Sequence, residues 1–381
     1  METNFKVDMP SFALGYSAGK KKGGGGTPEG FHMVRFFNDD QTTLLYTVFV
    51  PTGANAMYAG ETPVSAEGGV MFRGFDPSAV NVTADLDCYA VYEHAGTLNE
   101  ESWQRISELS AEGLAENIFA IGDTKMIHIE GTVGTLEVNG DYGVYIIGFD
   151  HNEELEGKGI HFGTFKKADG KDLCMASTNT YLQKDTSGLK WFNMNHWGAY
   201  NLGGWSRCDL RYDILGSTDV APLNYGSRAT SGDTGYDATE TCATNPVANT
   251  LMAALPHDLR AVMKPMTKYT DNFGGNTNVE SWDGHVTATI DYLPLLSTFE
   301  VHGKLYLSNG SEAAVQKQYK YFADGRSAKK YTSYNADQVA YWFSRSPRVQ
   351  VITTFCDNHI SGGPSNRLAD VSCGLAPIFK V

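Results

Sequence analysis

Residues 15–19 read Gly-Tyr-Ser-Ala-Gly, which matches the Gly-x-Ser-x-Gly pattern around a serine nucleophile. That pattern works in hydrolases because a buried strand delivers the serine to a strained turn at the head of a helix. Here a short segment containing Pro10 precedes the motif, and the lysine and glycine run Lys20–Gly26 follows it. Neither flank predicts a strand or a helix, so we assign no catalytic role to Ser17.

The histidines and cysteines do not show the spacing of metal or redox sites. His151 and His161 are ten residues apart, and no histidine pair has the i, i+4 spacing with a glutamate that hydrolytic zinc sites use. No two of the six cysteines form a Cys-x-x-Cys pair, which indicates free, buried thiols in a chain synthesised in a reducing cytoplasm. We expect no metal and no cofactor, although carboxylates paired in space, as in glycosidases, leave no sequence signature.

The overall composition excludes two classes of partner. The 381 residues carry 30 basic and 44 acidic side chains, a formal net charge of −14, whereas nucleic-acid binding requires a basic surface. No apolar run reaches the length of a membrane span, so we expect no membrane insertion. Few charged residues (19%), 41 glycines and many aromatic residues predict a β-rich α+β protein with long ordered loops.

Residues 1–30 form a segment distinct from the rest. The short apolar stretch Met9–Tyr16 is followed by three lysines and by the glycine run Gly23–Gly26, which cannot hold a regular element. We interpret this segment as a docking tether with a glycine-rich hinge. A disordered tail is the alternative.

Residues 31–94 are predicted to form a small β module. The apolar runs Met33–Phe37 and Thr43–Val50 flank a polar turn, which indicates a hairpin, and Asp87–Tyr92 is the closing strand. The motifs Val50–Gly53, Tyr58–Pro63, Gly74–Pro77, Val82–Asp85 and Tyr89-Ala90 resemble the β-grasp-like repeats of bacterial surface and phage tail proteins. The resemblance implies a spacer or adhesion module.

Residues 95–381 are predicted to form one larger domain. Thr97 and Glu100 have capping-box spacing, and Trp103, Ile106 and Leu109 repeat every three residues on one helical face. Further elements are predicted in the following order: strands at Lys125–Glu130 and Val144–Gly148, a hairpin near 168–170, a long loop at 216–247, a helix at Asn249–Met263 split by Pro256, and a helix at Glu312–Phe322.

Three motifs in this domain resemble a poorly characterised family of gut bacteria and their phages. They are Gly203–Arg207 with the following Asp209–Arg211, the aromatic strand Tyr341–Pro347, and the closing segment Gly374–Phe379. The chain has Phe343-Ser344 where the family usually has leucine. The resemblance implies that the structural residues of the domain, called its frame below, are Gly204, Trp205, Trp342, Arg345, Pro347 and Pro377.

The family resemblance implies a C-type-lectin-like fold in the variant shared with formylglycine-generating enzymes. The same fold occurs in the variable proteins of diversity-generating retroelements, whose phage members bind host receptors and vary between the last two motifs. Adenine-directed mutagenesis of asparagine codons cannot yield Lys, Glu, Gln, Met or Trp. These types make up about one residue in six of the chain, yet in 348–373 only Gln350 belongs to them. An ordinary irregular loop with chance depletion is the alternative.

These patterns lead to the hypothesis of a non-enzymatic phage tail or virion-surface receptor-binding protein. Its expected partners are a bacterial cell-surface receptor, either protein or glycan, and other virion proteins through residues 1–30; a homotrimer is expected by analogy. The alternatives are a head-decoration or baseplate protein, a bacterial surface adhesin, and an enzyme using Cys356 and Cys373. The predicted ligand contacts are Arg348, Val349, Val351, Ile352, Thr353, Thr354, Asp357, His359, Ile360, Ser365, Arg367, Leu368, Asp370 and Val371.

Overall fold

A computed structural model describes residues 28–66, 70–94, 96–222, 237–275 and 283–381. The chain divides into two compact units, Met1–Ala95 and Gly96–Val381. The Ser17 motif, the apolar stretch Met9–Tyr16 and the glycine run Gly23–Gly26 lie outside the described residues, as does part of the predicted 216–247 loop.

The first unit contains a four-stranded sheet. Strands β1 (Phe31–Phe37) and β2 (Leu44–Pro51) pair antiparallel as a hairpin, which confirms the sequence prediction. Strand β4 (Leu86–His94) lies parallel to β1, and β3 (Val70–Asp76) pairs antiparallel with β4, giving the order β2-β1-β4-β3. One face of this sheet is buried, with Val34, Phe36, Val50 and Cys88 in its core.

The second unit is also β-rich, and its helices are short. Its helices are α1 (Trp103–Ala111), α2 (Ala115–Ile118), α3 (Glu153–Glu156), α4 (Asp209–Asp213), α5 (Thr241–Thr244), α6 (Leu251–Ala254), α7 (His257–Arg260), α8 (Thr298–His302) and α9 (Lys320–Ala323), with 3-10 turns at Asp283–His285 and Gly310–Ala314. Its strands are β5 (Thr124–Val133), β6 (Leu136–Phe149), β7 (Ile160–Lys166), β8 (Leu173–Cys174), β9 (Met266–Asp271), β10 (Val286–Asp291), β11 (Lys330–Thr332), β12 (Asn335–Ala340), β13 (Trp342–Pro347), β14 (Thr354–Asn358), β15 (Pro364–Leu368) and β16 (Ile378–Lys380). The described residues therefore confirm a β-rich α+β fold.

The described strands of the second unit form four small sheets. The largest has the order β16-β7-β6-β5, so β16 pairs with β7, a strand from the first third of this unit. The other sheets are β10-β9, β12-β11-β8 and β13-β14-β15. A shared core connects them, because Tyr145, Cys174, Met266, Trp342 and Ile378 belong to one buried cluster.

Helix α1 packs against the sheet that contains β7 and β16, with the face that its periodicity predicts. Trp103, Ile106 and Leu109 are buried, and the Trp103 ring lies 5.4 Å from the Phe162 ring in an edge-on contact. The N-cap is Ser102 rather than Thr97, since the Ser102 hydroxyl accepts from the Arg105 N–H. Thr97 and Glu100 instead close a separate turn just before the helix.

One predicted helix is wrong and another is confirmed. The segment Glu312–Phe322 is interrupted: the 3-10 turn Gly310–Ala314 and α9 are separated by residues whose polar groups bond elsewhere. Gln316 donates to the Tyr269 carbonyl, and the Tyr319 N–H donates to the Glu300 carbonyl, so tertiary hydrogen bonds replace helical ones. The break at Pro256 between α6 and α7 occurs as predicted. No helix in the described ranges is long and apolar enough to cross a membrane.

Candidate ligand-binding surface

The predicted variable segment 348–373 contains strands β14 and β15 and the connections beside them. Strand β14 pairs antiparallel with β13 on one side and with β15 on the other. Residues 348–353 connect β13 to β14, and 359–363 form the hairpin before β15. Strand β15 pairs with no second strand among the described residues, and all five of its side chains are half-buried. The segment therefore presents two connections and an edge strand near the surface.

The fourteen predicted contact residues fall into two groups. Val349, Thr354, Asp357, Asp370 and Val371 are buried and support the segment from inside. The surface that a ligand could reach is formed by the half-buried residues Arg348, Val351, Ile352, Thr353, His359, Ile360, Ser365, Arg367 and Leu368, with the exposed Gln350 and Ser361. Irregular mixing of apolar and polar residues marked the segment but could not separate these groups.

A buried asparagine outside the segment holds the 348–353 connection. The Asn201 side-chain amide donates to the carbonyl oxygens of Arg348 at 3.1 Å, Val351 at 2.9 Å and Thr354 at 2.6 Å. The Asn201 backbone N–H also donates to the Ile352 carbonyl at 2.7 Å. Every one of these bonds reaches a backbone carbonyl of the connection, so the bonds themselves require no particular side chain there.

Two adjacent glycines allow this close approach. The Gly275 N–H donates to the Asn201 side-chain oxygen at 3.1 Å. A Cβ at Gly275 would lie 2.3 Å from the carbonyl oxygens of Arg348 and Val351, and one at Gly274 would lie 2.2 Å from the Asn201 carbonyl. Both distances are too short for a side chain, so only glycine fits between Asn201 and the connection. No pattern in the sequence indicated Asn201 or the Gly274-Gly275 pair, although Asn201 lies just before the Gly-Gly-Trp motif.

The end of the segment is also held through its backbone. The Asn195 N–H donates to the Ala369 carbonyl at 3.0 Å, and the Asp185 N–H donates to the Asp370 carbonyl at 2.9 Å. The Ser372 N–H donates to the Gln183 carbonyl at 2.8 Å. Residues 183–195 therefore frame this end of the segment as Asn201 frames its beginning.

A charged and aromatic cluster lies where β14 and β15 meet Tyr341. Arg367 Nε donates to Asp357 at 3.1 Å, and the Arg367 guanidinium lies 3.8 Å from the centre of the Tyr341 ring. The His359 ring meets Tyr341 edge-on at 5.1 Å. Burial raises the pKa of Asp357 above its ordinary value, although the Arg367 charge opposes this shift. The contacts with Asp357 and Tyr341 hold the Arg367 side chain in place, with 23% of its surface exposed.

A cleft borders the beginning of the segment. It has a volume of about 390 Å³ and is lined by Leu305, Leu307, Ser308, Gly310, Arg348, Val349 and Gln350. The Val349 N–H donates to the Leu307 carbonyl at 2.8 Å, which joins its two walls. Leu307 and Gln350 both have positive φ angles, 53° and 62°, so each wall turns sharply at a non-glycine residue.

The predicted frame residues are buried and carry two charge networks. Asp291 accepts hydrogen bonds from Trp205 Nε1 at 3.1 Å, Arg211 Nε at 2.6 Å and Ser217 Oγ at 3.0 Å. Gly204 has φ +53°, and a Cβ there would lie 2.1 Å from the Asp271 carbonyl oxygen. Trp205 and Arg211 therefore both donate to the carboxylate of Asp291 on β10. Pro347 and Pro377 are buried beside these elements.

The second network surrounds Arg345 and Lys268. Arg345 forms two bonds to the Glu300 carboxylate, and Lys268 Nζ lies 2.6 Å from Glu156 and 3.0 Å from Glu300. Burial alone would raise the pKa of Glu300, but the charges of Arg345 and Lys268 outweigh it and lower that pKa below its ordinary value. Because all four side chains are buried, the network joins β9, β13, α3 and α8 in the interior.

One group of residues in this network has the side chains of a metal site. Ligand atoms of His151, Glu156 and Glu300 lie within 4.8 Å of one another, and all three residues are buried. The Lys268 ammonium already bonds to both glutamates, so it supplies the positive charge that a metal ion would supply. Burial and the Lys268 charge lower the pKa of His151 to about 3, which keeps its ring neutral. We interpret the group as structural.

Thiol chemistry is disfavoured at the two cysteines that an enzyme would need. Cys356 and Cys373 are both fully buried, and burial raises the pKa of each thiol above its ordinary value. Because the thiolate is the reactive form, neither residue is an activated nucleophile at neutral pH. All six cysteines are free and buried.

The fold and this surface define a β-rich α+β protein whose second unit fixes an irregular surface segment through backbone contacts. Comparisons with protein-family models, with curated proteins and with solved structures found no match.

Proposed function

We propose that the chain is a non-enzymatic receptor-binding protein of a phage tail or virion surface. In this proposal the second unit is a C-type-lectin-like domain that presents residues 348–373 to a bacterial cell-surface ligand. The first unit is a β-grasp-like spacer, and residues 1–30 dock onto other virion proteins. The protein assembles as a homotrimer, in which three weak sites engage one cell together and raise the avidity.

The observation that carries the proposal is the way Asn201 holds the 348–353 connection. Its bonds all reach backbone carbonyl oxygens, and residues 183–195 hold the other end in the same manner. A binding surface whose backbone is fixed from outside tolerates many different side chains. That property suits a segment diversified by a retroelement, and it is not needed in an enzyme, where the side chains themselves must be kept.

A structural role in the virion is the second candidate, and a feature of the first unit favours it. Phe31, Phe49 and Val91 lie on the outer face of the sheet, opposite its buried core. Their exposed fractions are 41%, 48% and 41%. Exposed apolar faces of this kind often mark assembly interfaces. The same face is compatible with a head-decoration or baseplate protein, or with an adhesin of the bacterial surface.

Adhesion of the full-length protein to a panel of gut bacterial isolates tests the receptor role. The variant replaces Val351, Ile352, Thr353, His359, Ile360, Ser365 and Leu368 together by serine or alanine. The matched control replaces a similar number of exposed residues of the first unit, and circular dichroism checks that both variants fold. We expect adhesion to at least one strain and its loss in the segment variant alone. Unchanged adhesion of that variant, or no adhesion to any strain, would contradict the proposal.

A further inference from the structure

The cleft beside residues 348–350 combines aliphatic walls with hydrogen-bond donors. Leu305, Leu307 and Val349 supply apolar surface, and Leu307 is 38% exposed although it is held in a turn. Ser308, Arg348 and Gln350 supply polar groups, and none of the described residues that line the cleft is acidic. In a chain of net charge −14 this cleft therefore carries a local positive charge.

Two residues that line the cleft each have a side-chain polar atom without a hydrogen-bond partner in the described part of the chain. These atoms are Ser308 Oγ and Arg348 Nε, and both are buried. Ser308 is 95% buried, since its exposed fraction is 5%. A buried donor without an acceptor is costly, and an acceptor brought by a ligand would remove that cost.

Arg348 is held in place before any ligand binds. Its backbone N–H donates to the Thr354 carbonyl at 3.1 Å, and its carbonyl accepts from Asn201. Its Nη1 donates to Asn366 on β15 at 3.0 Å, whereas its Nε is a buried donor without a hydrogen-bond partner. A fixed arginine loses little conformational freedom on binding, so it favours a planar anion.

We propose that this cleft binds a carboxylate flanked by apolar side chains, in a peptide segment of a bacterial surface protein. The inference rests on the proposed receptor-binding function and names the chemistry of its ligand. The carboxylate accepts hydrogen bonds from Arg348 Nε and Ser308 Oγ, and neighbouring apolar side chains cover Leu305, Leu307 and Val349. The carboxylate belongs either to an Asp or Glu side chain or to a chain terminus.

The lining favours a peptide over a glycan. Each sugar unit carries several hydroxyl groups, and every hydroxyl that is buried requires a hydrogen-bond partner. The cleft has three polar side chains against three aliphatic ones, so most hydroxyl groups of a buried sugar would remain unpaired. Aliphatic side chains of a peptide gain free energy from the same walls.

Four small probes test the ligand chemistry on the full-length protein, with dissociation constants measured by ligand-observed NMR. The first is leucyl-glutamyl-leucine with blocked ends, and the second is its glutamine analogue, which removes the charge and keeps the shape. The third is acetyl-leucyl-leucine with a free terminal carboxylate, which distinguishes the two carboxylate sources. The fourth is the methyl glycoside of glucuronic acid, which represents an acidic glycan.

We expect at least one carboxylate peptide to bind about tenfold or more tightly than the glutamine analogue, as expected for a charged hydrogen bond. Arg348→Met removes that preference and Ser308→Ala weakens it severalfold. The control Arg326→Met, at an exposed arginine of the second unit outside both the cleft lining and the 348–373 segment, leaves it unchanged. If neither carboxylate peptide binds more tightly than the glutamine analogue, the inference is overturned without any variant. Tighter binding of the glucuronide than of both carboxylate peptides would show that the cleft takes an acidic glycan and would overturn the peptide ligand.

The adhesion assay, run in parallel, distinguishes failure of this inference from failure of the proposed function. If cells bind and neither carboxylate peptide binds to the wild type, the inference is wrong and the receptor function stands. If the peptides bind with the expected preference and no strain is recognised, the cleft chemistry stands and the receptor function is wrong.

Discussion

The Asn201 side-chain amide donates to the Thr354 carbonyl oxygen across 2.6 Å, joining residues separated by 153 positions in the chain. Asn201 lies two residues before the Gly-Gly-Trp motif, whereas Thr354 is the first residue of β14. The same amide bonds to two further carbonyl oxygens of the 348–353 connection. A single buried side chain thus couples the frame of the second unit to its candidate binding surface.

Replacing Asn201 is expected to destabilise the protein substantially. Asn201→Ala removes one donor from three carbonyl oxygens, of which only that of Thr354 keeps the Arg348 N–H as a partner, and it removes the acceptor of the Gly275 N–H. At roughly 1–3 kcal/mol for each unsatisfied buried group, with partial rescue by water, we expect the free energy of unfolding to fall by about 3 kcal/mol. Urea denaturation followed by tryptophan fluorescence measures the change. The exposed Asn117 provides the control, and a loss below about 0.5 kcal/mol at Asn201 would refute its anchoring role.

The contact between Asn201 and the connection could not be predicted from the sequence, because it joins side chain to backbone over a long separation. Backbone acceptors have no residue type, so no pattern near Arg348 or Thr354 reveals the donor. Local periodicity was sufficient for α1 and for the β1–β2 hairpin, where the contacting residues are neighbours along one element. It failed at Glu312–Phe322, where Gln316 and Tyr319 bond to distant parts of the unit.

The Asp291 carboxylate is expected to be essential to stability. Asp291→Asn leaves the buried Arg211 guanidinium without its counter-charge and replaces one acceptor oxygen by a donor beside Trp205. Breaking a buried ion pair from one side typically costs about 3–5 kcal/mol, and we expect a loss in that range by urea denaturation. The matched control is Asp337→Asn, where the carboxylate pairs with Lys171 at the surface and is 94% exposed. Equal small losses in both variants would disprove the structural role of Asp291.

The buried carboxyl of Glu312 is expected to make stability depend on pH. It accepts from the Asp271 N–H at 3.0 Å and from Ser346 Oγ at 2.8 Å, and burial raises its pKa from 4.5 to about 7. The folded state holds this proton more tightly than the unfolded state. The resulting contribution of Glu312 to the free energy of unfolding is therefore fully present below pH 4.5, and it is lost as the pH rises through about 7.

Glu312→Gln keeps the shape of the carboxyl and removes its titration. Relative to the wild type, we expect the variant to gain on the order of 3 kcal/mol in unfolding free energy between pH 4.5 and pH 8. Denaturant titrations at a series of pH values give both profiles. The exposed Glu116, changed to Gln, serves as the control for a general charge effect. Parallel profiles of the wild type and Glu312→Gln would contradict a raised Glu312 pKa.

The sequence indicated the location of the candidate surface but not which of its side chains are buried. The unusual composition of 348–373 drew attention to a segment that contains β14, the edge strand β15 and their connections. Which of its side chains face inward depends on packing against other parts of the unit. Asp357, for example, is 1% exposed because β14 lies between two strands, yet an aspartate in a polar stretch predicts an exposed residue.

The last prediction separates display positions from supporting positions within the segment. Phe355 is completely buried on β14, whereas Ile352 and Ile360 lie half-buried in the two connections. Phe355→Ala is expected to cost about 3–5 kcal/mol of unfolding free energy, because it leaves a cavity in the core. Ile352→Ala and Ile360→Ala are expected to cost less than about 1.5 kcal/mol each, since the connections are held by backbone bonds and these side chains bury less surface. Urea denaturation of all three variants tests the ranking, and adhesion is measured on the same samples. Losses at Ile352 and Ile360 as large as that at Phe355 would show that their side chains hold the fold, which would remove the argument for a diversified surface.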